Sequence, residues 1–151
     1  MINARSETAA AKPSFRSAFK ARRCLVVADG YYELAKHVRK KQPYYIRLKG
    51  GKLFAFAGLW ERWRETPESE PVESCTILTT DANELTKPIH NRMPVIVAPA
   101  DIGQWLDPAE KPEALQALLR PYPPESMEAY PVSTVVNNVR TKSPQCVEPL
   151  A

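Results

Sequence analysis

The chain has 151 residues, 44% hydrophobic and 25% charged, with a net charge of +4 and a pI near 9.0. That length suits one domain able to bury a core without disulfide staples. No apolar run approaches a membrane span, and the start Met1-Ile2-Asn3-Ala4-Arg5 is not an apolar signal segment. The expectation is a cytoplasmic protein, with no membrane partner. Three cysteines, Cys24, Cys75 and Cys146, are odd in number and far apart in sequence, which argues against a disulfide framework and against a zinc site. They read as buried or free thiols. The mild basic bias is compatible with a polyanion partner. Its distribution is uneven: Arg16, Lys20, Arg22 and Arg23 cluster early, Lys36, Arg39, Lys40 and Lys41 follow, and the acidic stretch Glu65 to Glu73 lies apart.

Residues 1–13 read as an extended lead-in. Ser14 is placed to cap a short helix with Phe15, Ala18 and Phe19 on one face and basic residues at its end. Cys24 to Ala28 is a short apolar run, expected to be a buried strand, and Asp29-Gly30 is a turn signal before extended Tyr31-Tyr32-Glu33. Lys36 to Gln42 reads as a solvated loop. Tyr44 to Lys49 and Leu53 to Trp63 are expected to pair as a hairpin across Gly50-Gly51. A polar loop over 64–74 leads to a strand over Thr76 to Thr80. Asp81-Ala82-Asn83 starts a helical turn, and Met93 to Val97 is a strand. A short helix is expected from Ala100 to Leu106. The clearest helix spans Pro112 to Arg120, with Pro at its start, Leu115, Leu118 and Leu119 on one side and Pro121 beyond its end. A late strand over Tyr130 to Val136 precedes an irregular tail, 137–151. Fifteen prolines against five glycines favour short elements and rigid turns. The order of elements gives an α+β fold, mainly β.

Few side chains in this pattern could carry chemistry. Glu33 follows a turn and two tyrosines. It is either a surface glutamate or a carboxyl of raised pKa that serves as acid or base. His90 sits in Pro88-Ile89-His90-Asn91-Arg92-Met93-Pro94, where flanking prolines stiffen the loop. It is either a placed catalytic group or a satisfied structural histidine. His37, in the charged loop, reads as solvated. Asn3 and Arg5, two apart in extended chain, point to one face. Arg5 and Arg92 are suited to phosphate, which a guanidinium grips in a bidentate fork, or are plain surface residues. Tyr31, Tyr32, Tyr44, Tyr45, Trp60 and Trp63 could stack unpaired bases or fill a core. The residues alone support a domain with a possible anion site and no more.

A set of strings in fixed order adds to this reading. They are Asn3-Ala-Arg-Ser-Glu-Thr8, Arg22-Arg-Cys-Leu25, Ala28-Asp-Gly-Tyr-Tyr-Glu33, Ala57-Gly-Leu-Trp60, Thr79-Thr80, Ile89-His-Asn-Arg-Met-Pro94, and Pro131-Val-Ser133 with Asn137-Asn138. Together they resemble the SOS-response-associated peptidase (SRAP) family over nearly the whole chain. The resemblance implies a mixed-sheet pseudo-barrel with short peripheral helices, a single domain over 1–151, and single-stranded DNA with abasic sites as partner. It implies a crosslinking or lyase activity at such sites and self-cleaving peptidase (hydrolase) activity, with no cofactor and no metal. In the family an N-terminal cysteine attacks the open-chain sugar aldehyde through its α-amine, and its thiol then closes a thiazolidine. An α-amine is less basic than lysine and so more often neutral at pH 7.

By position, the resemblance makes Asn3 the residue that orients the reacting terminus, Glu33 the acid/base and His90 the group that moves protons on the sugar. Arg5, Thr79 and Arg92 become DNA contacts. Two departures stand out: Leu34 follows Glu33 where the family usually has tryptophan, and Met1-Ile2 precedes Asn3 where the family carries a longer segment with the nucleophile. From this the expectation is a member lacking that segment and unable to crosslink, with a homodimer covering the edge the segment would leave open. A non-catalytic single-stranded-DNA-binding module and a truncated regulatory remnant are the alternatives.

Overall fold

A computed structural model describes residues 1–35 and 41–150. In chain order the elements are β1 (Asn3–Arg5), α1 (Ser6–Ala9), α2 (Arg16–Ala21), β2 (Arg23–Ala28), β3 (Tyr31–Leu34), β4 (Pro43–Leu48), β5 (Phe54–Trp63), β6 (Val72–Asp81), β7 (Arg92–Pro94), α3 (Ile102–Leu106), α4 (Pro112–Leu118) and β8 (Met127–Pro131). Short 3₁₀ turns join several of them. The expected mainly-β α+β class holds: the strands form mixed sheets, the helices are short, and the described strands close no barrel. The chain divides into two compact units.

The first unit comprises Met1–Val27, Ala55–Thr80 and Pro94–Tyr122. Its sheet runs β1-β6-β5-β2. β1 lies parallel to β6 with Asn3 opposite Ile77, Ala4 opposite Leu78 and Arg5 opposite Thr79. β5 and β6 are antiparallel from Gly58–Ile77 to Trp63–Val72. Residues 95–97 join the ladder: Val95 donates to the Leu78 carbonyl, Ala57 to that of Val95, and Val97 to that of Ala55, each at 2.9 Å. The core combines Ala4, Ala57, Leu59 and Leu78 of the sheet with Phe15, just before α2, and Phe19, Trp105, Leu115 and Leu118 of the helices. Phe19 and Trp105 meet edge to face with centroids 6.0 Å apart.

Arg23 ties the helices to the sheet. Its guanidinium donates to the carbonyls of Trp105 (2.7 Å), Phe19 (2.8 Å), Lys20 (2.7 Å) and Asp107 (2.5 Å). It therefore satisfies carbonyls at the ends of both α2 and α3, which helix ends leave unpaired. Only a planar fork reaches four carbonyls at once.

The second unit comprises Ala28–Phe54, Asp81–Met93 and Pro123–Ala151. Its antiparallel sheet runs β3-β4-β8. Tyr32, Tyr45 and Tyr130 stand opposite one another across the three strands, and so share one face. Tyr31 with Ile46, and Glu33 with Tyr44, occupy the other face. The tyrosine rings contact at 5.2 and 5.8 Å between centroids. Gly30 lies against the Tyr45 ring, where a Cβ would collide with it. Burial and the adjacent Asp29 carboxylate push the Tyr45 phenol up to about 12.

Several expectations need correction. The lead-in is not featureless: β1 and α1 fall within it, because a pairing with residues 77–79 extends the chain there. Ser14 caps nothing; α2 starts at Arg16 after Phe15, with no side-chain cap bond. β2 is at a sheet edge and only half-buried, with Val27 68% exposed. The hairpin across Gly50-Gly51 does not form. Both glycines take positive φ, 75° and 65°, yet β4 pairs with β3 and β8 while β5 pairs with β6. The strand expected at 76–80 is longer, Val72–Asp81, because β5 pairs with its first half. The late strand lies earlier than expected: β8 ends at Pro131, and Ser133 caps a 3₁₀ turn over Thr134–Asn137. The helix at Pro112 forms as expected, with Leu115 and Leu118 buried, but it ends at Leu118, two residues before Arg120, with buried Leu119 as its cap. Cys24, Cys75 and Cys146 are free thiols.

Arg23→Ala is expected to lower unfolding stability by about 2–4 kcal/mol, since four carbonyls lose a charged donor. Arg23→Lys should restore little of it; denaturant unfolding measures both. The second expectation is alkaline. A phenol whose pKa is raised on folding stabilises the native state below its unfolded pKa, near 10. That stability is lost as pH rises through about 12. Thermal melts should fall over this range in the native protein and fall less steeply in Tyr45→Phe; identical slopes would refute the assignment.

Candidate functional site

On the first unit, strand alternation sorts β1. Ala4 is 5% exposed against Leu78, and Asn3 and Arg5 on either side of it are exposed. The sequence placed them on one face, and the structure does likewise. Thr79, opposite Arg5, is half-buried, and its hydroxyl donates to the Ala4 carbonyl at 3.3 Å. Asn3, Arg5 and Thr79 are therefore neighbours by register on two adjacent strands.

On the second unit, Glu33 lies on β3, half-buried, on the same face as Tyr31 and opposite Tyr44. Its carboxylate accepts the Leu34 N–H at 3.3 Å. Burial, and secondarily the charge of Glu33, push the Tyr31 phenol well above its usual range. Tyr31 is thus held as a neutral hydroxyl beside a carboxylate. Leu34 points to the opposite face and is exposed, so the departure from the family's usual tryptophan falls away from Glu33.

His90 is half-buried at the end of a tight turn. Its Nδ1 lies 3.1 Å from the Arg92 N–H, from which it accepts, and 3.2 Å from the Arg92 carbonyl. The Nε2–H tautomer makes the first contact; the Nδ1–H tautomer or a protonated ring donates to the second. Either way Nδ1 is occupied by backbone, and Nε2 is the nitrogen left to exchange a proton with a substrate. Arg92 pairs with Asp81 at 2.8 Å, its own side chain 18% exposed and that of Asp81 83%. A phosphate at Arg92 would share or replace that carboxylate, which is open to solvent.

The turn is held from beneath. Asn83 and Thr86 are buried, and the Asn83 Oδ1 accepts from the Thr86 N–H (3.0 Å) and hydroxyl (3.1 Å). Thr86 in turn accepts the N–H groups of Ile89 and His90 through its carbonyl, each at 2.9 Å. The sequence reading missed this support, together with Tyr31 beside Glu33 and Asp81 beside Arg92. The Asn-x-x-Thr spacing at 83–86 is a turn-capping signal that pointed to the first of these.

Of the aromatic candidates, Tyr45 is buried, Tyr32 is 42% exposed, and Trp60 and Trp63 are 39% and 59% exposed. In the early basic cluster, Arg22 pairs with Glu61 at 2.7 Å and Arg23 is committed to carbonyls. Lys36, His37, Arg39 and Lys40 lie outside the described residues.

The SOS response associated peptidase (SRAP) family profile matches residues 1–139. The chain is 48% identical over 150 residues to the "Abasic site processing protein YoqW" of Bacillus subtilis, covering 98% of this chain and 66% of that one. It is 37% identical over 170 residues to the "Abasic site processing protein HMCES" of Gallus gallus, covering 98% of this chain and 50% of that one. A crystal structure of a Bacteroides thetaiotaomicron protein superposes with a TM-score of 0.91 at 34% identity, covering 99% of this chain and 66% of the other. The chain thus spans just under two thirds of the length of these bacterial relatives. With a family profile over 139 of its residues and relatives above 30% identity, the chain belongs to the SOS response associated peptidase family.

Proposed function

We propose that this chain binds single-stranded DNA at abasic sites and shields or processes them. In this reading Arg5, Thr79 and Arg92 contact phosphates, and Asn3 orients the reacting groups. Glu33 and His90 move protons on the open-chain sugar, His90 through Nε2. The observation that carries the reading is the His90 ring itself. Its Nδ1 is pinned by the Arg92 backbone, as an acid/base group held for one task requires. The names of the relatives, abasic site processing proteins, support the same class of substrate.

Thiazolidine formation needs amine and thiol on one terminal cysteine. Cys24, Cys75 and Cys146 all sit within the chain, so none has a free α-amine. The three internal thiols are therefore proposed not to close this ring. Binding of single-stranded DNA without that step is the second reading. The working compartment we propose is the cytoplasm, at the nucleoid.

The test uses an oligonucleotide bearing one abasic site. The 151-residue polypeptide should bind it in preference to duplex DNA and leave no heat-stable adduct. A chain extended upstream to begin with cysteine should form the adduct. In that chain Glu33→Gln and His90→Ala should each slow adduct formation by about 10²-fold. Unchanged rates would sink the assigned roles, and an adduct on the shorter polypeptide would sink the requirement for a terminal cysteine.

We also propose a homodimer through the first unit. Its support is the ribbon made by the ends of β5 and β6. There Trp63 (59% exposed) stands opposite Val72 (56% exposed). Exposed aromatic and aliphatic groups of this kind mark an interaction surface. Light scattering should give a dimer mass that Trp63→Glu reduces to a monomer; a monomer in the native protein would refute it.

A further inference from the structure

Four cations of the first unit follow one another along its α1–α2 edge. Arg5 ends β1, and Lys12, Arg16 and Lys20 come at intervals of four residues. Two tight turns join α1 to α2, with Pro13 between them and Phe15 outside the helical region at φ −127°. The Lys12 N–H donates to the Thr8 carbonyl and the Arg16 N–H to the Lys12 carbonyl, each at 2.9 Å. Within α2, Arg16 and Lys20 are four apart and so share one face, about 6 Å apart along the axis. The opposite side of this segment is fixed in the core by Ala9, Phe15, Ala18 and Phe19, so the cations are held outward. All four are exposed.

Two shallow hollows lie along the row. One is lined by Arg5, Thr8, Ala11 and Lys12, and the other by Arg16, Ser17 and Lys20 with Ala10, Phe19 and Pro112. Neither has an acid in its wall. None of the four cations makes an ion pair with a described residue, in contrast to Arg22, which is paired with Glu61. Exposed cations that pair with no described carboxylate, with hydroxyls between them, suit a chain of monoanions more than a single small anion.

We infer that Lys12, Arg16 and Lys20 form a backbone track for a nucleic-acid strand, continuing from Arg5 along the α1–α2 edge. The occupant is the single strand beyond the lesion, held by its phosphates without regard to sequence. The track rests on the DNA-binding reading above, but it adds contacts that reading does not contain.

The track makes a quantitative claim. Each cation that neutralises a phosphate of a single strand adds about 0.7 to the slope of log affinity against log salt. Arg5 and Arg92 alone give a slope of about −1.4, and three further cations bring it to about −3.5. The experiment titrates the full chain with a 4-mer and a 16-mer oligothymidylate, both carrying one abasic site, across a series of salt concentrations. The comparison variant is Lys12→Ala/Arg16→Ala/Lys20→Ala, all at exposed positions. Circular dichroism and the melting curve check that its fold is unchanged.

For the 16-mer the slope should be near −3.5 in the native chain and rise by about 2 in the variant, while the 4-mer keeps its affinity. A 16-mer slope that the triple substitution leaves unchanged overturns the track and leaves the site at Arg5 intact. Native chain that binds neither oligonucleotide overturns both the track and the DNA-binding reading. An equal loss of affinity for heparin, which has no nucleotide spacing, would reduce the row to a general polyanion surface and overturn it as a strand track.

Discussion

The burial of Ala4 against Leu78 governs much of what this protein presents to solvent. Strand β1 is three residues long, and its middle residue is the one that enters the core. A strand turns successive side chains to opposite faces, so fixing Ala4 inward fixes Asn3 and Arg5 outward together. A slip of one residue would bury the arginine and expose the alanine, at the cost of desolvating a charge. The parallel ladder to β6 then sets Thr79 opposite Arg5. Helix α1 begins at the next residue, Ser6, which is itself buried, and so the start of the basic row is set by the same anchor.

The same alternation divides the sheet of the second unit. Glu33 and Tyr31 share a face, and Tyr32, Tyr45 and Tyr130 line the other. One face therefore carries a carboxylate beside a phenol that stays neutral, and the other an aromatic row whose packing holds the strands in register. The His90 turn uses a different device. Buried amide and hydroxyl groups at Asn83 and Thr86 satisfy the backbone below it, and the backbone of Arg92 occupies the inward ring nitrogen. Buried polar groups that find partners in this way rigidify the loop that carries them.

Arginine serves three purposes within a short stretch of this chain. Arg23 bridges helix-end carbonyls, Arg22 pairs with Glu61, and Arg16 extends into solvent with no ion pair to a described residue. Net charge does not distinguish these uses, although the +4 balance first suggested a polyanion partner. What matters for binding is which cations remain uncompensated and whether the backbone holds them in a row.

The sequence by itself determined the class of fold, the helix at Pro112 and the side of β1 on which Asn3 and Arg5 stand. These depend on local periodicity, capping chemistry and strand alternation, which neighbouring residues carry. Its ordered strings also determined the family. Tertiary structure alone decided the partners of each strand. Gly50-Gly51 carried a hairpin signal and took positive φ, yet β4 and β5 went to different sheets, because pairing is chosen by the faces that distant strands can bury. It alone revealed that Asp81 compensates Arg92, that Asn83 and Thr86 support His90, and that Arg23 is structural. Each of these depends on groups separated in sequence and brought within hydrogen-bonding distance only by the fold.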